Sequence, residues 1–456
     1  MKRISLIAFA LFLTIAAQAK VTYKFRISLT DKKNTEYSLD KPLQFLSEKA
    51  LLRREKQKLA VDSTDLPVCS MYVKAIRATG ARILVTSKWN NTVTVRCSDS
   101  LLVKKLTKLP FVSDAELVWS GEEQDISFDA ARKDTVTNKL VKTDNYYGKA
   151  FRQIEIHNGQ KLHEAGFRGQ GMTIAIIDGG FKNANQLTAL KSLKLLGTRD
   201  FVKSKSDLFE ENNHGMMVLS CMASYMPHSI VGTAPEASYW LLRSEDIDSE
   251  NLVEQDYWAA AIEFADSVGV DVVNTSLGYR EFDDSSKNYT YQDLNGRRAM
   301  ISRSAGMAAD KGMVVVCSAG NEGRGSWKKI TPPADAFNVI TVAAIDSTLK
   351  LAPFSSVGNT TDNRIKPDVS AIGQKSFVLK TSGEVGTANG TSFSTPIFCG
   401  LVACLWQSCP ELTAKQVIEL VRKSCNHSDS PDNIYGYGVP DVYKAYLSVH
   451  HEIANK

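Results

Sequence analysis

Residues 172–180 read Met-Thr-Ile-Ala-Ile-Ile-Asp-Gly-Gly, an apolar run that ends in a carboxylate and two glycines. A strand without polar alternation is typical of a parallel sheet whose two faces are both covered. From residue 166 onward, such runs alternate with segments of helical periodicity, for example at residues 251–268 and 297–311. This alternation predicts an α/β fold, a parallel sheet with helices on both faces.

The other elements of this unit continue the alternation. We expect further strands at residues 238–242, 270–274, 313–317 and 339–343, and further helices at residues 215–226, 394–407 and 413–423. In sheets of this class, ligands bind beyond the carboxyl ends of the strands. Asp178, which ends its strand, is therefore expected at the edge of the sheet where a site would form.

The chain before this unit has a different pattern. Short strand-like runs and two segments of helical spacing predict a small α+β unit, with strands at residues 21–29, 81–85, 91–97 and 111–117 and helices at residues 42–58 and 98–109. Residues 120–147 are polar and turn-prone, which indicates a linker. We divide the chain into a signal peptide (1–19), an α+β domain (20–125), a linker with a processing site (126–150) and an α/β domain (151–456).

The first 19 residues have the layout of a secretory signal. Lys2 and Arg3 precede an apolar core at residues 4–17, and Ala17 and Ala19 form a small-residue cleavage site. The alternative, a membrane anchor, needs about 20 apolar residues. We therefore predict a secreted or periplasmic protein with no membrane span after signal removal. The net charge of +5 over 456 residues, without a dense basic patch, gives no support to nucleic-acid binding.

The eight cysteines are compatible with an oxidising compartment, but their spacing does not decide their pairing. Two disulfides are candidates, Cys69 with Cys97 and Cys409 with Cys425. The cysteines in apolar runs are expected to be buried free thiols: Cys221, Cys317 and Cys399. Neither a Cys-x-x-Cys pair nor a His-Glu-x-x-His motif occurs, so no metal site is predicted from these residue types.

Three polar residues occupy junctions between a strand or loop and a helix. Asp178 ends an apolar strand, His214 precedes an apolar helix, and Ser392 follows Gly390 and Thr391 just before another. Each alone has a structural alternative, as a turn residue, a structural histidine or a helix cap. Together, a carboxylate can orient an imidazole that takes the hydroxyl proton, and a helix N-terminus offers donors to the oxyanion.

At these residues the sequence resembles the subtilase family of serine peptidases, of the secreted bacterial type. Ile-Ile-Asp178-Gly resembles the family's aspartate block, His214-Gly-Met-Met-Val its histidine block, and Gly390-Thr-Ser392-Phe-Ser-Thr-Pro its serine block. The resemblance runs along most of residues 166–445 and implies a subtilisin-like fold and a serine endopeptidase. In this family the three blocks have the order Asp, His, Ser.

Two further blocks imply residues around the triad. Asp271-Val-Val-Asn-Thr-Ser-Leu-Gly resembles the segment that pairs with substrate backbone, and Val314-Val-Val-Cys-Ser-Ala-Gly-Asn resembles the block whose asparagine donates to the oxyanion. The implied catalytic residues are Asp178, His214 and Ser392, with Asn321 in the oxyanion hole. The implied substrate-binding residues are Ser276, Leu277, Gly278, Ala319 and Gly320.

The N-terminal unit resembles, less specifically, the inhibitory propeptides of secreted subtilases. This resemblance implies a self-inhibited precursor, and the alternative is an unrelated accessory domain. The implied partners are protein or peptide substrates and the chain's own propeptide as an intramolecular inhibitor, and we expect a monomer. No cofactor is required. Family members often bind Ca²⁺, but no ligand set can be placed, and the acidic runs at residues 245–250 and 282–286 are calcium candidates or solvated loops.

Three positions depart from the family's pattern: Gly179, Met217 and Phe393 stand where a Ser or Thr, a second His and a Met are usual. None of these removes a proton-transfer or oxyanion group, so we expect activity. Two other functions compete with this interpretation. One is a catalytically impaired module that keeps the fold and binds proteins. The other is a lipase or esterase, which predicts Gly-x-Ser-x-Gly with the histidine last, whereas His214 precedes Ser392 here.

Overall fold

The N-terminal unit is a four-stranded antiparallel sheet with three helices. The computed structural model describes residues 21–122 and 135–454, so the predicted signal peptide lies outside the described residues. The elements of this unit are β1 (Val21–Leu29), α1 (Glu48–Lys56), α2 (Ser70–Ala78), β2 (Arg82–Ser87), β3 (Thr92–Cys97), α3 (Val103–Leu106) and β4 (Val112–Glu122). The strand order is β2-β3-β1-β4. One face of the sheet packs on α2 and α3 around the fully buried side chains of Ile27, Ile76 and Leu106.

The larger unit contains the remaining helices and strands. Up to its central helices it comprises α4 (Phe151–Glu155), α5 (Gly159–Glu164), β5 (Thr173–Asp178), β6 (Lys194–Asp200), α6 (His214–Ala223), β7 (Tyr225–Met226), β8 (Ile230–Val231), β9 (Ser238–Arg243), α7 (Val253–Ser267), β10 (Val272–Thr275) and α8 (Met300–Asp310). It continues with β11 (Val314–Ser318), β12 (Ile340–Ile345), β13 (Val369–Ile372), β14 (Ser376–Leu379), β15 (Val385–Ala388), α9 (Thr391–Ser408), α10 (Ala414–Ser424) and α11 (Val442–Ala454). Short 3-10 turns occur at Pro42–Gln44, Ser100–Leu102, Thr188–Leu190, Ser285–Lys287 and Tyr291–Asp293. Among the described helices, none has both the length and the hydrophobicity that a membrane crossing requires.

Seven of these strands form one sheet in the order β13-β12-β11-β10-β5-β9-β6, and neighbouring strands pair in parallel. The side chains of β5 alternate between two cores. Ile174 and Ile176 pack in the core that contains α6 and α9, whereas Ala175 and Ile177 pack in the core that contains α7 and α8. The predicted α/β class, with helices on both faces, is confirmed.

The N-terminal sheet docks on α7 through charged side chains. Arg26 Nε donates to Asp256 Oδ1 at 2.8 Å, and Thr94 Oγ1 donates to the same oxygen at 2.8 Å. The carboxylate of Glu263 accepts hydrogen bonds from the backbone N–H groups of Lys88 and Trp89 at 2.7 and 3.0 Å. Acidic side chains on one face of α7 therefore hold the N-terminal unit against the larger one.

Part of the predicted linker is attached to the larger unit. β4 continues through Glu122, and the backbone N–H groups of Thr137 and Asn138 donate to Ser382 O at 2.8 and 2.9 Å. The N–H of Thr143 donates to His228 O at 2.6 Å. Residues 123–134 are outside the described part of the chain. The described residues after this gap belong to the fold of the larger unit.

Several helix ends differ from the predicted ones for local reasons. α9 begins at Thr391 instead of residue 394 because Gly390, at φ 152°, turns the chain directly into the helix. α8 begins at Met300 instead of residue 297 because Asn295 Oδ1 accepts the N–H groups of Arg297 and Arg298 in a turn before the helix. α10 begins at Ala414 instead of residue 413 because Thr413 is its N-cap and forms a capping box with Gln416.

The two candidate disulfides are wrong. All eight cysteines are buried free thiols, as expected for the three in apolar runs. Cys69 Sγ donates to Asn34 O at 3.6 Å, whereas Cys97 Sγ donates to Asp99 O at 3.3 Å. Because each thiol contacts a different part of the backbone, the first pair does not meet. Cys409 and Cys425 also remain unlinked, and the Sγ of Cys425 bonds within its own helix end.

Candidate active site

The three candidate catalytic residues lie at the carboxyl edge of the parallel sheet. Asp178 is the last residue of β5, His214 is the first residue of α6, and Ser392 lies in the first turn of α9. His214 Nδ1 is 2.8 Å from Asp178 Oδ1. The side chain of Asp178 is 2% exposed and that of His214 is 33% exposed. The imidazole therefore lies between a buried carboxylate and the cleft.

The buried carboxylate of Asp178 is only partly satisfied. Its Oδ1 accepts the N–H of Gly179 at 2.7 Å in addition to the contact with His214. Its Oδ2 has no hydrogen-bond partner among the described residues. Gly179 occupies the position where the family usually has a hydroxyl side chain. The departure at Gly179 therefore coincides with an unused acceptor on the neighbouring carboxylate.

The ring of His214 is positioned from two sides. Its backbone N–H donates to Asn212 Oδ1 at 2.7 Å, which fixes the start of α6, and the ring packs against Phe393 at a centroid distance of 5.8 Å. Burial favours the neutral imidazole, but the Asp178 carboxylate outweighs burial and raises the pKa of His214. Phe393 thus packs against the candidate catalytic ring. Asn212, which sequence reasoning missed, had a detectable signal as an Asx residue two positions before the helix.

Ser392 is held by a reciprocal contact with Ser276. Ser392 Oγ donates to Ser276 O at 3.1 Å, and Ser276 Oγ donates to Ser392 O at 3.0 Å. Within the described chain, no hydrogen bond joins Ser392 Oγ to the ring of His214. The side chain of Ser392 is thus turned towards the segment that was predicted to pair with substrate backbone.

Asn321 is oriented by Thr391, the residue immediately before Ser392. Asn321 Oδ1 accepts the N–H and the hydroxyl of Thr391 at 2.9 and 3.1 Å, and Thr391 Oγ1 accepts the N–H of Gly320 at 3.2 Å. Because the amide oxygen is engaged in this way, the Nδ2 group is the end of Asn321 left to donate. Asn321 and Ser392 border the same cavity.

This first cavity has a volume of about 250 Å³ and includes most of the predicted substrate-binding residues. Ser276, Leu277, Gly278 and Gly320 line it. A Cβ atom on Gly278 would lie 2.4 Å from Thr331 Oγ1, so a side chain there would displace the opposite wall. Ala319 does not line the cavity, because its side chain is fully buried in a small apolar cluster behind the wall.

A second cavity of about 540 Å³ adjoins the first and shares Glu250 and residues 276–278 with it. Asp178 and His214 line it together with several carboxylates from the two acidic runs that the sequence left as calcium candidates or solvated loops. Among these carboxylates, Glu245 interacts electrostatically with both Asp178 and His214. Burial and the Asp178 carboxylate raise the pKa of Glu245 to about 7, against the opposing effect of hydrogen bonds from Tyr279 and Ser244.

Calcium cannot be placed on these carboxylates. Among the described residues, no group of three or more His, Cys, Asp or Glu side chains is arranged to hold a metal ion. The donor set therefore does not fit a metal site. No chemistry is assigned to a metal here.

Comparison with known proteins identifies the chain. Residues 169–438 match the subtilase family, described as Peptidase S8, and residues 24–135 match the Peptidase S8 propeptide domain of Bacteroidota. This chain belongs to the subtilase family. It is a serine-type endopeptidase with an N-terminal propeptide domain, which argues against an unrelated accessory domain and does not favour a catalytically impaired binding module.

Sequence relatives agree with this assignment, and solved structures share the fold. The chain is 29% identical to subtilisin DY of Bacillus licheniformis over 295 residues, which cover 64% of this chain and 97% of that protein. It is 29% identical to subtilisin NAT of Bacillus subtilis subsp. natto, with 62% and 68% covered. The MycP3 protease of the type VII (ESX-3) secretion system has the same fold at a TM-score of 0.54 and 22% identity, with 67% and 90% covered. MycP1 from Mycobacterium smegmatis has a TM-score of 0.51 and 23% identity, with 69% and 89% covered.

Proposed function

We propose that the chain is a secreted or periplasmic endopeptidase that uses Asp178, His214 and Ser392 as its catalytic triad and is made as a self-inhibited precursor. The observation that carries this proposal is the 2.8 Å contact between Asp178 Oδ1 and His214 Nδ1, at the sheet edge where Ser392 begins α9. A buried carboxylate on Nδ1 keeps the opposite nitrogen, Nε2, free to accept a proton.

In the proposed mechanism, His214 Nε2 takes the proton of Ser392 Oγ as this oxygen attacks the scissile carbonyl carbon. Asp178 stabilises the imidazolium that forms. The tetrahedral oxyanion is bound by Asn321 Nδ2 and by the N–H of Ser392, which lies in the first turn of α9 and has no intrahelical acceptor. His214 then returns the proton to the leaving amine, which leaves an acyl group on Ser392. In the second half of the reaction, His214 takes a proton from water, and the water oxygen attacks the acyl carbonyl and releases Ser392.

Substrate binding would prepare Ser392 for this attack. A peptide aligned with residues 276–278 as an added strand would offer backbone N–H groups to that segment. In this structure, Ser276 O accepts a hydrogen bond from the Ser392 hydroxyl at 3.1 Å. A peptide N–H could donate to the same oxygen and displace the hydroxyl. The displaced hydroxyl then turns towards His214. On this proposal Ser276, Leu277, Gly278 and Gly320 contact the peptide, and Ala319 supports the wall from behind.

We further propose the following division of the precursor. Residues 1–19 are a signal peptide, 20–125 an inhibitory propeptide, 126–150 the region that contains the processing site, and 151–456 the peptidase domain, active as a monomer. The hydrogen bonds of Thr137, Asn138 and Thr143 to the larger unit support cleavage before Thr137, because cleavage after Thr143 would separate these residues from the peptidase chain. The docking of the N-terminal sheet on α7 supports an inhibitor that stays bound after cleavage.

Replacement of the nucleophile tests the proposal. Ser392→Ala, expressed with its leader, should accumulate as an uncut precursor if processing is autocatalytic, whereas the unmodified chain should mature. Ser394→Ala, two residues further along α9, is the matched control and should mature. Normal maturation of Ser392→Ala together with undiminished peptide hydrolysis would contradict the proposed role of Ser392.

A further inference from the structure

The second cavity of the cleft has a wall of carboxylates. Besides Asp178, the acidic residues that line it are Glu245, Asp246, Asp248, Glu250, Glu254 and Asp283. They come from two separate segments, the loop between β9 and α7 together with the first turn of α7, and the stretch after residue 278. Glu250 also borders the first cavity. The acidic wall therefore lies along the substrate cleft, beside His214.

The cationic side chains near this wall are engaged elsewhere. Arg243 lies beneath the loop, but its guanidinium is buried and bonds Asp200 at 3.0 Å. Arg280 lines the first cavity and pairs with Glu281. Within the described residues, the remaining basic group at the second cavity is the ring of His214. None of the described residues that line this cavity therefore supplies a Lys or Arg side chain to neutralise the carboxylates of the wall.

Only some of the carboxylate oxygens are used to hold the loop. Glu254 accepts the N–H groups of Asp246 and Asn251 at 2.8 and 2.9 Å, which fixes the turn before α7. By contrast, within the described residues the Oδ2 of Asp178 has no hydrogen-bond partner, and Asp178 lines the same cavity. Burial and the carboxylates of Glu245 and Asp283 raise the pKa of Glu250 to about 8. Near neutral pH this pKa keeps Glu250 largely protonated, and a bound cation would favour its ionised form.

The location of the acidic wall relative to Ser392 indicates which side chain of a bound peptide would contact the wall. Side chains of an extended peptide point alternately to opposite sides. If the peptide pairs with residues 276–278, the side chain directly before the scissile bond (P1) enters the first cavity, which Ser392 and Asn321 line. The preceding side chain (P2) then points away from the first cavity, and the second cavity, which His214 and the acidic wall line, is available to it along residues 276–278.

We propose that this peptidase selects Arg or Lys at P2, and that the carboxylates of Glu245, Asp246 and Glu250 bind the cationic group. This specificity rests on the proposed function, since it needs a peptide that Ser392 cleaves. The segment between the two units carries the adjacent cations Arg132 and Lys133. The chain itself therefore contains a sequence that could place Arg or Lys at P2 during its own processing.

A peptide series tests this specificity on the purified mature enzyme. The peptides share one cleavable sequence and differ only at P2, which is Arg, citrulline, Lys, norleucine or Glu. Citrulline and norleucine keep the shape of Arg and Lys without the charge. We expect kcat/KM for Arg and Lys to exceed that of their neutral counterparts by about tenfold or more, as for one well-placed ion pair in a partly desolvated site, and Glu to be poorest. Equal values for Arg and citrulline would overturn the inference while leaving the proposed function intact.

Two triple variants locate the preference on the structure. Glu245→Gln, Asp246→Asn and Glu250→Gln together should bring the Arg-to-citrulline ratio of kcat/KM close to one. The control removes three exposed carboxylates that line neither cavity, by Glu164→Gln, Glu411→Gln and Asp429→Asn, and should keep the wild-type ratio. An unchanged ratio in the cleft variant would contradict the assigned residues. If that variant fails to fold, the wild-type series alone decides. Failure of the wild-type enzyme to cleave any peptide would overturn the proposed function, and this inference with it.

Discussion

Asp178 and His214 form a 2.8 Å contact between Oδ1 and Nδ1, while the other carboxylate oxygen of Asp178 is buried and has no hydrogen-bond partner in the described part of the chain. Asp178 thus contacts the ring through Oδ1, and no hydrogen bond from a described residue reaches its Oδ2. This arrangement explains the raised pKa of His214, because the carboxylate outweighs the effect of burial. It also makes the pH dependence of activity sensitive to changes at Asp178.

The first prediction concerns this pH dependence. His214 can accept a proton only when it is neutral, so kcat/KM should fall as the pH falls through the raised pKa of the ring. Asp178→Asn removes the charge that favours the imidazolium, so the acid limb should move to lower pH. The rate at the optimum should fall by about 10⁴-fold, as is typical when a triad carboxylate is replaced. A pH profile of both proteins measures both effects, and an unmoved acid limb would contradict the role of Asp178.

The second prediction concerns the departure at Gly179. Gly179→Ser should supply a hydroxyl to Asp178 Oδ2, whereas Gly179→Ala adds the same Cβ without a donor. In both variants the Cβ lies 3.2 Å from Ile247 Cγ2, so the steric cost is shared. The serine variant should be more stable than the alanine variant by about 1 kcal/mol. Chemical denaturation of the two mature enzymes compares them, and equal stability would show that Oδ2 does not receive the hydroxyl.

The same pair of variants has a consequence for His214. A hydroxyl donated to Asp178 spreads the carboxylate charge, which weakens its effect on the ring. The acid limb of kcat/KM should therefore lie at lower pH in Gly179→Ser than in Gly179→Ala. A limb at higher pH in the serine variant would contradict this electrostatic explanation.

The third prediction concerns Asn321. Asn321→Ala removes the proposed oxyanion donor, so kcat should fall by about 10²–10³-fold with a much smaller change in KM. Asn338→Ala is the control, because Asn338 is exposed and bonds Asp310 away from the cleft. Steady-state kinetics on one peptide measures both variants. A loss confined to KM would contradict transition-state stabilisation by Asn321.

The fourth prediction concerns the docked propeptide. Asp266, fully buried on α7, pairs with Arg53, Arg54 and Lys88 of the N-terminal unit at 2.5, 2.9 and 3.1 Å. Removing one charge from such a cluster leaves buried cations unpaired, at a cost of about 3–5 kcal/mol. In a Ser392→Ala precursor, Asp266→Asn should therefore speed amide hydrogen exchange in α1 by about 10²-fold or more.

Asp310→Asn provides the control for this measurement. Asp310 also carries a carboxylate near a helix end, but its side chain is largely exposed and its pairing with Lys415 is at the surface. Exchange in α1 should then match that of the parent precursor. Equal exchange in the Asp266 and Asp310 variants would show that the buried cluster does not hold the propeptide.

The parts of the fold that sequence predicted were those with a strong local pattern. β1 was predicted with its observed bounds, and β5 was found from its unbroken apolar run. β6 (Lys194–Asp200) was missed because its side chains are mostly exposed at the sheet edge, which removes the apolar signal. β13 (Val369–Ile372) was missed because Ser370 interrupts its short apolar stretch, which leaves no continuous apolar run to recognise.

The candidate site also has a part that the sequence predicted and a part that it did not. Asp178, His214, Asn321 and Ser392 could be named from motifs, and the structure brings them to one cleft. The acidic wall could not be predicted as part of that cleft, because its members come from two segments whose meeting depends on tertiary packing. The failed disulfide between Cys69 and Cys97 has the same cause, since spacing in the chain carries no information on which backbone each thiol meets.

Labelling of the nucleophile tests the central claim most directly. The purified mature enzyme is treated with a fluorophosphonate, and the modified residue is located by peptide mass spectrometry. We predict a single phosphonylated serine, Ser392, with labelling abolished in His214→Ala although Ser392 is intact. No labelling of an enzyme that is folded and fully processed, or labelling at another serine, would contradict a triad of Asp178, His214 and Ser392.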